Sequence, residues 1–142
     1  MMLVNMPVAD VERSRRFFSD LGYAINDQFS GDNSVTLVLG EKNQFAMLVQ
    51  RDLFDSLHPV ETADATKVKE CVVCLTVDSR EAVDALVNRA LAAGGTEGDA
   101  EDHGSMYGRS YNDLDGHSWQ IFWMDAEAGR TNTRAPPQEW RI

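Results

Sequence analysis

The strongest constraint on this chain is an internal repeat, because a pattern that occurs twice calls for one supersecondary unit built twice. The stretch VNMPVADVERSRRFFSDLG, starting at Val4, matches VCLTVDSREAVDALVNRALAAGG, starting at Val73. Each opens with alternating apolar residues, Val4, Met6 and Val8 in one copy and Val73, Leu75 and Val77 in the other. That period of two marks a strand with one buried face. An N-cap candidate follows, Asp10 in the first copy and Asp78 or Ser79 in the second, with Glu81 placed to complete a capping box with Asp78. Helical spacing comes next (Val11, Ser14, Phe17, Phe18, Leu21; then Val83, Leu86, Val87, Ala90), and both helices stop at glycine, Gly22 and Gly94-Gly95.

Shorter strand candidates complete each copy. The first half offers Tyr23 to Phe29, Val35 to Leu39 and Phe45 to Gln50, with GEKN as a turn. The second offers a weak segment near Thr96, then Met106 to Asn112 and Ser118 to Met124, joined through Asp115-Gly116. The expected fold is therefore α+β, one domain made of two β-α-β-β-β modules, about residues 2–50 and 71–125. A polar connection, residues 51–70, holds a short helix candidate at Asp52 to Leu57, and residues 126–142 form a polar tail whose Trp140 is an anchor candidate.

Composition narrows the function classes. Asp and Glu number 23 against 13 Lys and Arg, a formal net charge of -10 that opposes nucleic acid and anionic membranes and favours a cationic ligand. No apolar run reaches the ~20 residues of a membrane span, and the N-terminus lacks the pattern of a signal peptide, so a cytoplasmic protein is expected. Both cysteines fall in Cys71-Val72-Val73-Cys74, a C-x-x-C spacing. On a strand, residues three apart point to opposite faces, which argues against a redox pair, and no cluster of further thiols or imidazoles accompanies them for zinc.

The paired modules, the entry NMPVADVERSRRFFSDLGY and the exit DLDGHSWQIF together resemble the vicinal oxygen chelate superfamily, which includes glyoxalase I, extradiol dioxygenases and bleomycin-resistance proteins. The stretch DHGSMYGRSYNDLDGHSWQIFWMD is similar to a glyoxalase-like branch labelled predicted lactoylglutathione lyase. The resemblance implies that each module curls its sheet into a cup, that two cups face each other, and that homodimers are common. In metal-dependent members four ligands, usually His and Glu, come from the first and last strands of the modules. Placed by strand parity, those positions fall here on Leu3, Met47, Val72 and Gln120. Two of these have no donor atom, one is a soft thioether and one an uncharged amide, a set unsuited to a divalent ion. No cofactor is expected, and a divalent ion held through other residues is left open.

Three functions remain. In the first, the cups bind a small organic molecule, lined by Asn5, Cys74, Tyr107, Arg109, Gln120 and Phe122, and the acidic run Glu97 to Asp102 is a solvated loop that would draw cations to the mouth. In the second, the chain is a lyase or isomerase like lactoylglutathione lyase, with Asp102 orienting His103 for proton transfer and Arg109 holding a carboxylate. In the third, the homodimer has a structural or interaction role. His117 closes the hairpin turn in all three.

Overall fold

A computed structural model describes residues 1–41 and 43–127. The first module contains β1 (Met2–Val8), α1 (Val11–Asp20), β2 (Ser34–Gly40) and β3 (Gln44–Gln50), and the second contains β4 (Val72–Thr76), α3 (Arg80–Ala92), β5 (Thr96–Asp102), β6 (Met106–Asn112) and β7 (Ser118–Met124). Between them the connection begins with α2 (Arg51–Ser56). The expected α+β architecture is present as two sheets of order β1-β3-β2 and β4-β7-β6-β5. In each, the first strand pairs parallel with the last, so the helix after the first strand crosses one face of its own sheet.

Both helices begin and end where the sequence places their signals. The Asp10 carboxylate accepts from Arg13 N at 3.0 Å. In the second copy Ser79, not Asp78, is the cap and accepts from Ala82 N at 3.0 Å. Gly22 and Gly94 sit at φ 95° and 107°, a backbone region open to glycine at little cost.

Two segments differ from expectation. Tyr23 to Phe29 is not a strand: only Ile25 bridges to Leu37, after which Asn26 accepts from Gln28 N and Phe29 N and turns Asp27–Phe29 into a 3-10 helix. A local side-chain cap competes there with the sheet ladder. Conversely, Glu97 to Asp102 is not a loop but most of β5, an edge strand paired antiparallel with β6 and bulged between Glu97 and Ala100. Charge on an edge strand blocks further strand addition. The tail beyond residue 127, Trp140 included, lies outside the described residues.

The core is shared by the modules. Phe18 of α1 packs 5.1 Å from the Trp119 ring of β7, and Tyr111 of β6 stacks on Trp119 at 6.3 Å and an interplanar angle of 4°. Trp119, Tyr111, Phe17, Phe18 and Ile121 are all buried. The Tyr23 and Tyr111 hydroxyls meet at 3.2 Å, and burial pushes Tyr23 up to about 12 and raises Tyr111 further. Polar contacts also join the halves. Asp115 accepts from Ala9 N at 2.8 Å and from Arg13 Nη2 at 3.1 Å, while the His117 ring lies 2.6 Å from Pro7 O.

Candidate functional site

Strand pairing sorts every side chain onto one of two faces, since partners across a ladder point the same way. On the first sheet the helix face carries Val4, Met6 and Val8 with Ala46, Leu48, Val35 and Leu37; the outer face carries Leu3, Asn5 and Pro7 with Phe45, Met47, Val49 and Thr36. On the second sheet the outer face carries Val72, Cys74 and Thr76 with Ser118, Gln120, Phe122, Gly108 and Ser110. Asn5, Cys74, Gln120 and Phe122 thus stand on outer faces, as do all four positions Leu3, Met47, Val72 and Gln120.

The two sheets place these residues equivalently. Asn5 pairs with Met47 in the first and Cys74 with Gln120 in the second. The Cys74 thiol donates to Gln120 Oε1 at 3.3 Å, which leaves the amide nitrogen as the free donor of that pair. Leu3 and Val72 are 39% and 48% exposed, so the ligand positions at the module entries are open apolar surface. A thioether, an amide and two hydrocarbons cannot hold a hard or borderline divalent ion, and among the described residues no three His, Cys, Asp or Glu side chains converge elsewhere. The donor set does not fit the metal that the superfamily resemblance implies.

Two expected site residues are displaced. Tyr107 and Arg109 do not face the cup. They pair with Trp123 and Ile121, which lie on the helix side, and so project toward α3. The Tyr107 hydroxyl donates to Asp84 Oδ1 at 2.7 Å, and Arg109 donates to Asp84 and Asn88 through Nη1 and to Glu97 through Nη2, at 2.9 to 3.0 Å. These bonds hold the Asp84 carboxyl below its ordinary range, Tyr107 first and Arg109 second. Arg109 is therefore a strut between helix and sheet rather than a carboxylate receptor.

The Asp102-His103 dyad does not form. Asp102 is held by a paired contact from Arg80, Nη1 to Oδ2 at 2.8 Å and Nη2 to Oδ1 at 2.9 Å, which with the Gly104 N–H lowers its carboxyl to about 2. His103 is exposed, and its Nε2 lies 3.5 Å from Glu101 Oε2. Arg80, which the sequence pattern does not single out, also sits over the Tyr107 and Trp123 rings at 5.1 and 5.2 Å. With Asp102 taken by Arg80 and Arg109 on the opposite face, the only carboxylate beside His103 among the described residues is the exposed Glu101, and no substrate anchor accompanies it.

His117 does close the turn, as expected, donating through its backbone N–H to Asp113 Oδ1 at 3.0 Å. Asp113 also accepts from Asp115 N and from the Trp119 indole, yet burial raises its carboxyl above the ordinary value. The two cysteines are free and serve different surroundings: Cys74 is on the outer face, while Cys71 precedes β4 and lines a cavity at its edge.

The first 40 residues match the family model for the bleomycin resistance protein-like N-terminal region. No match to a curated protein is found. Among solved structures the chain is similar to the hypothetical protein SA1046 of S. aureus, with 29% identity, a TM-score of 0.75 and coverage of 87% of this chain and 92% of that one. It is also similar to a glyoxalase-related enzyme from Fulvimarina pelagi (19% identity, TM-score 0.73, 87% and 86% covered). The fosfomycin resistance protein FosX from Listeria monocytogenes shares 16% identity at a TM-score of 0.61, with 89% and 94% covered. The fold is that of the glyoxalase and bleomycin-resistance proteins.

Proposed function

We propose that the chain is a metal-independent, small-molecule-binding member of the vicinal oxygen chelate superfamily that works as a cytoplasmic homodimer. One observation carries the reading. At the positions where the superfamily holds its ion, this chain has hydrocarbon, a thioether and the Gln120 amide, with Cys74 and Asn5 beside them. Apolar walls with one orienting amide suit an organic ligand bound by burial and steered by a hydrogen bond. The net charge of -10 favours neutral or cationic compounds.

The two helix faces share one core, so the outer faces of a single chain are left open along β1 and β4, with Leu3, Val72 and Met124 exposed. A second copy that sets its second sheet over the first sheet of its partner would enclose the ligand. Symmetric dimers are the commonest soluble assembly. The lyase reading lacks a comparable basis, since Gln120 has no useful basicity and His103 and Arg109 do not converge.

Thermal unfolding against a panel of neutral and cationic heteroaromatic compounds tests the proposal. A binder raises Tm in the wild type and in His103→Ala, and loses most of its effect in Gln120→Leu. Consumption of the compound, or loss of the shift in His103→Ala, would return the chain to the enzymes. Sedimentation at several concentrations tests the dimer, and a monomer that binds as tightly as the wild type at every concentration would remove the second copy from the site.

A further inference from the structure

We infer that the seam between the modules is a second small-molecule site, distinct from the one at Cys74 and Gln120 and selective for compact neutral or cationic aromatic compounds. A cavity of about 320 Å³ lies between β1 and β4, one edge strand of each sheet. That volume is at the small end of the ~300–1,000 Å³ common for ligand pockets, room for one or two fused rings. Met6, Pro7 and Val73 form its inner wall, and Phe54, Val60 and Val68 of the connection form the outer one.

The outer wall is seated rather than draped. Arg51 donates to Thr62 O at 3.2 Å, Lys69 Nζ to Gly116 O at 2.5 Å, and Asp64 accepts from Thr66 N at 3.0 Å. Gly116, at φ 87°, lets the connection approach so closely that a Cβ there would fall 2.9 Å from Thr66 N. These anchors hold the cavity open in advance of any ligand, which lowers the ordering cost of binding.

The lining chemistry selects the ligand class. Phe54 and His58 meet edge to face at 4.8 Å and 61°, a wall onto which a third ring can pack. The charged groups of the lining are Glu61 and Glu70 against Lys69, whose ammonium is already committed to the Gly116 and Ala65 carbonyls. An anion would meet two carboxylates and no free cation in that lining, whereas a cation at the mouth would be attracted. Asn5, Pro7 and Ser118 belong to both this cavity and the outer faces, but Cys74 and Gln120 do not line the cavity.

The C-x-x-C spacing supplies a built-in comparison, because Cys71 lines the cavity and Cys74 reports the outer face. The test is the rate of alkylation of each thiol of the full chain by iodoacetamide, read by mass spectrometry, with indole, tryptamine and indole-3-acetate as probes. At about ten times its dissociation constant, indole slows alkylation of Cys71 about tenfold by mass action and leaves Cys74 unchanged. Tryptamine protects at least as well, indole-3-acetate less, and Ala63→Trp, which fills the cavity from an exposed position, abolishes the response. Unchanged Cys71 reactivity up to the solubility limit of indole would overturn the inference, and so would equal slowing of both thiols. A ligand of the outer face shields Cys74 instead, so failure of one site is distinguishable from failure of the other.

Discussion

The two modules share a frame and differ on the face turned away from their helices. In the first, the module itself covers the outer face on the side of β2: Phe29 of the 3-10 turn packs on Phe45 at 6.0 Å, Thr36 donates to Phe29 O at 2.6 Å, and Phe45, Val49 and Thr36 are buried, while Leu3 and Asn5 of β1 stay exposed. In the second, a fourth strand replaces that turn and the outer face stays open along β4. Residues spent on a longer sheet are not available to fold back over it. The difference teaches that the first repeat gives part of this face to its own packing, and the second leaves it open.

The contrast holds only if the inner faces act as one. Trp119→Ala removes the ring shared by both helix sides and deprives Asp113 of a donor. It should cost ~3–5 kcal/mol, in a single urea transition. Two separate transitions would show that the modules are independent and the comparison misplaced. Next in size is a restored ligand set. Leu3→His, Met47→Glu, Val72→His and Gln120→Glu together should admit Ni(II) or Zn(II) and stabilise the fold by ~2.7 kcal/mol at 100 times the dissociation constant. If the first and second sheets meet across a dimer, that gain falls on dilution of the protein, which calorimetry at two concentrations would detect.

A smaller effect tests the cover. Thr36→Val keeps the shape but orphans the Phe29 carbonyl, and a loss of about 1 kcal/mol is expected by denaturant titration, with greater proteolytic nicking near Phe29. The smallest concerns the rim of the open module. The Asp102 carboxyl titrates at about 2 in the folded chain against an ordinary value of 3.8, so its contribution is complete above pH 3.8 and is lost as pH falls toward 2. Arg80→Ala should flatten that acid limb by lowering stability at pH 7 while leaving stability below pH 2 nearly unchanged. An unaltered limb would mean that the Arg80 contact does not hold in solution.

Most of the frame was legible because it is written in apolar alternation: β1, β4 and β7 each bury one face and so show a period of two. β5 was not, since an edge strand with most of its side chains exposed owes its form to backbone pairing with β6, and EGDAED carries no apolar period. Tyr23 to Phe29 misled for the opposite reason, alternating like a strand while Asn26 caps its own following amides. The candidate site was legible where it lies on β1, β4 and β7. Tyr107 and Arg109 were assigned to the wrong face because β6 has no apolar stripe of its own. The signal existed in the hairpin: pairing Asn112 with Ser118 across the turn carries Tyr107 and Arg109 to the side of Trp123 and Ile121. Nothing local in the sequence announced Arg80 between two aromatic rings, a contact made by tertiary approach.

The Asp115 contact has a further consequence for how such chains can be recombined. Matching the strands by their pairing sets Ala82 of the second copy against Arg13 of the first, a methyl in place of a donor. The clasp on Ala9 and Arg13 is therefore made in one direction only. Two second copies would present the aspartate with no arginine to meet it. At this contact the halves of the chain are not interchangeable, and a hybrid built from related chains would be expected to assemble according to which half supplies the aspartate and which the arginine.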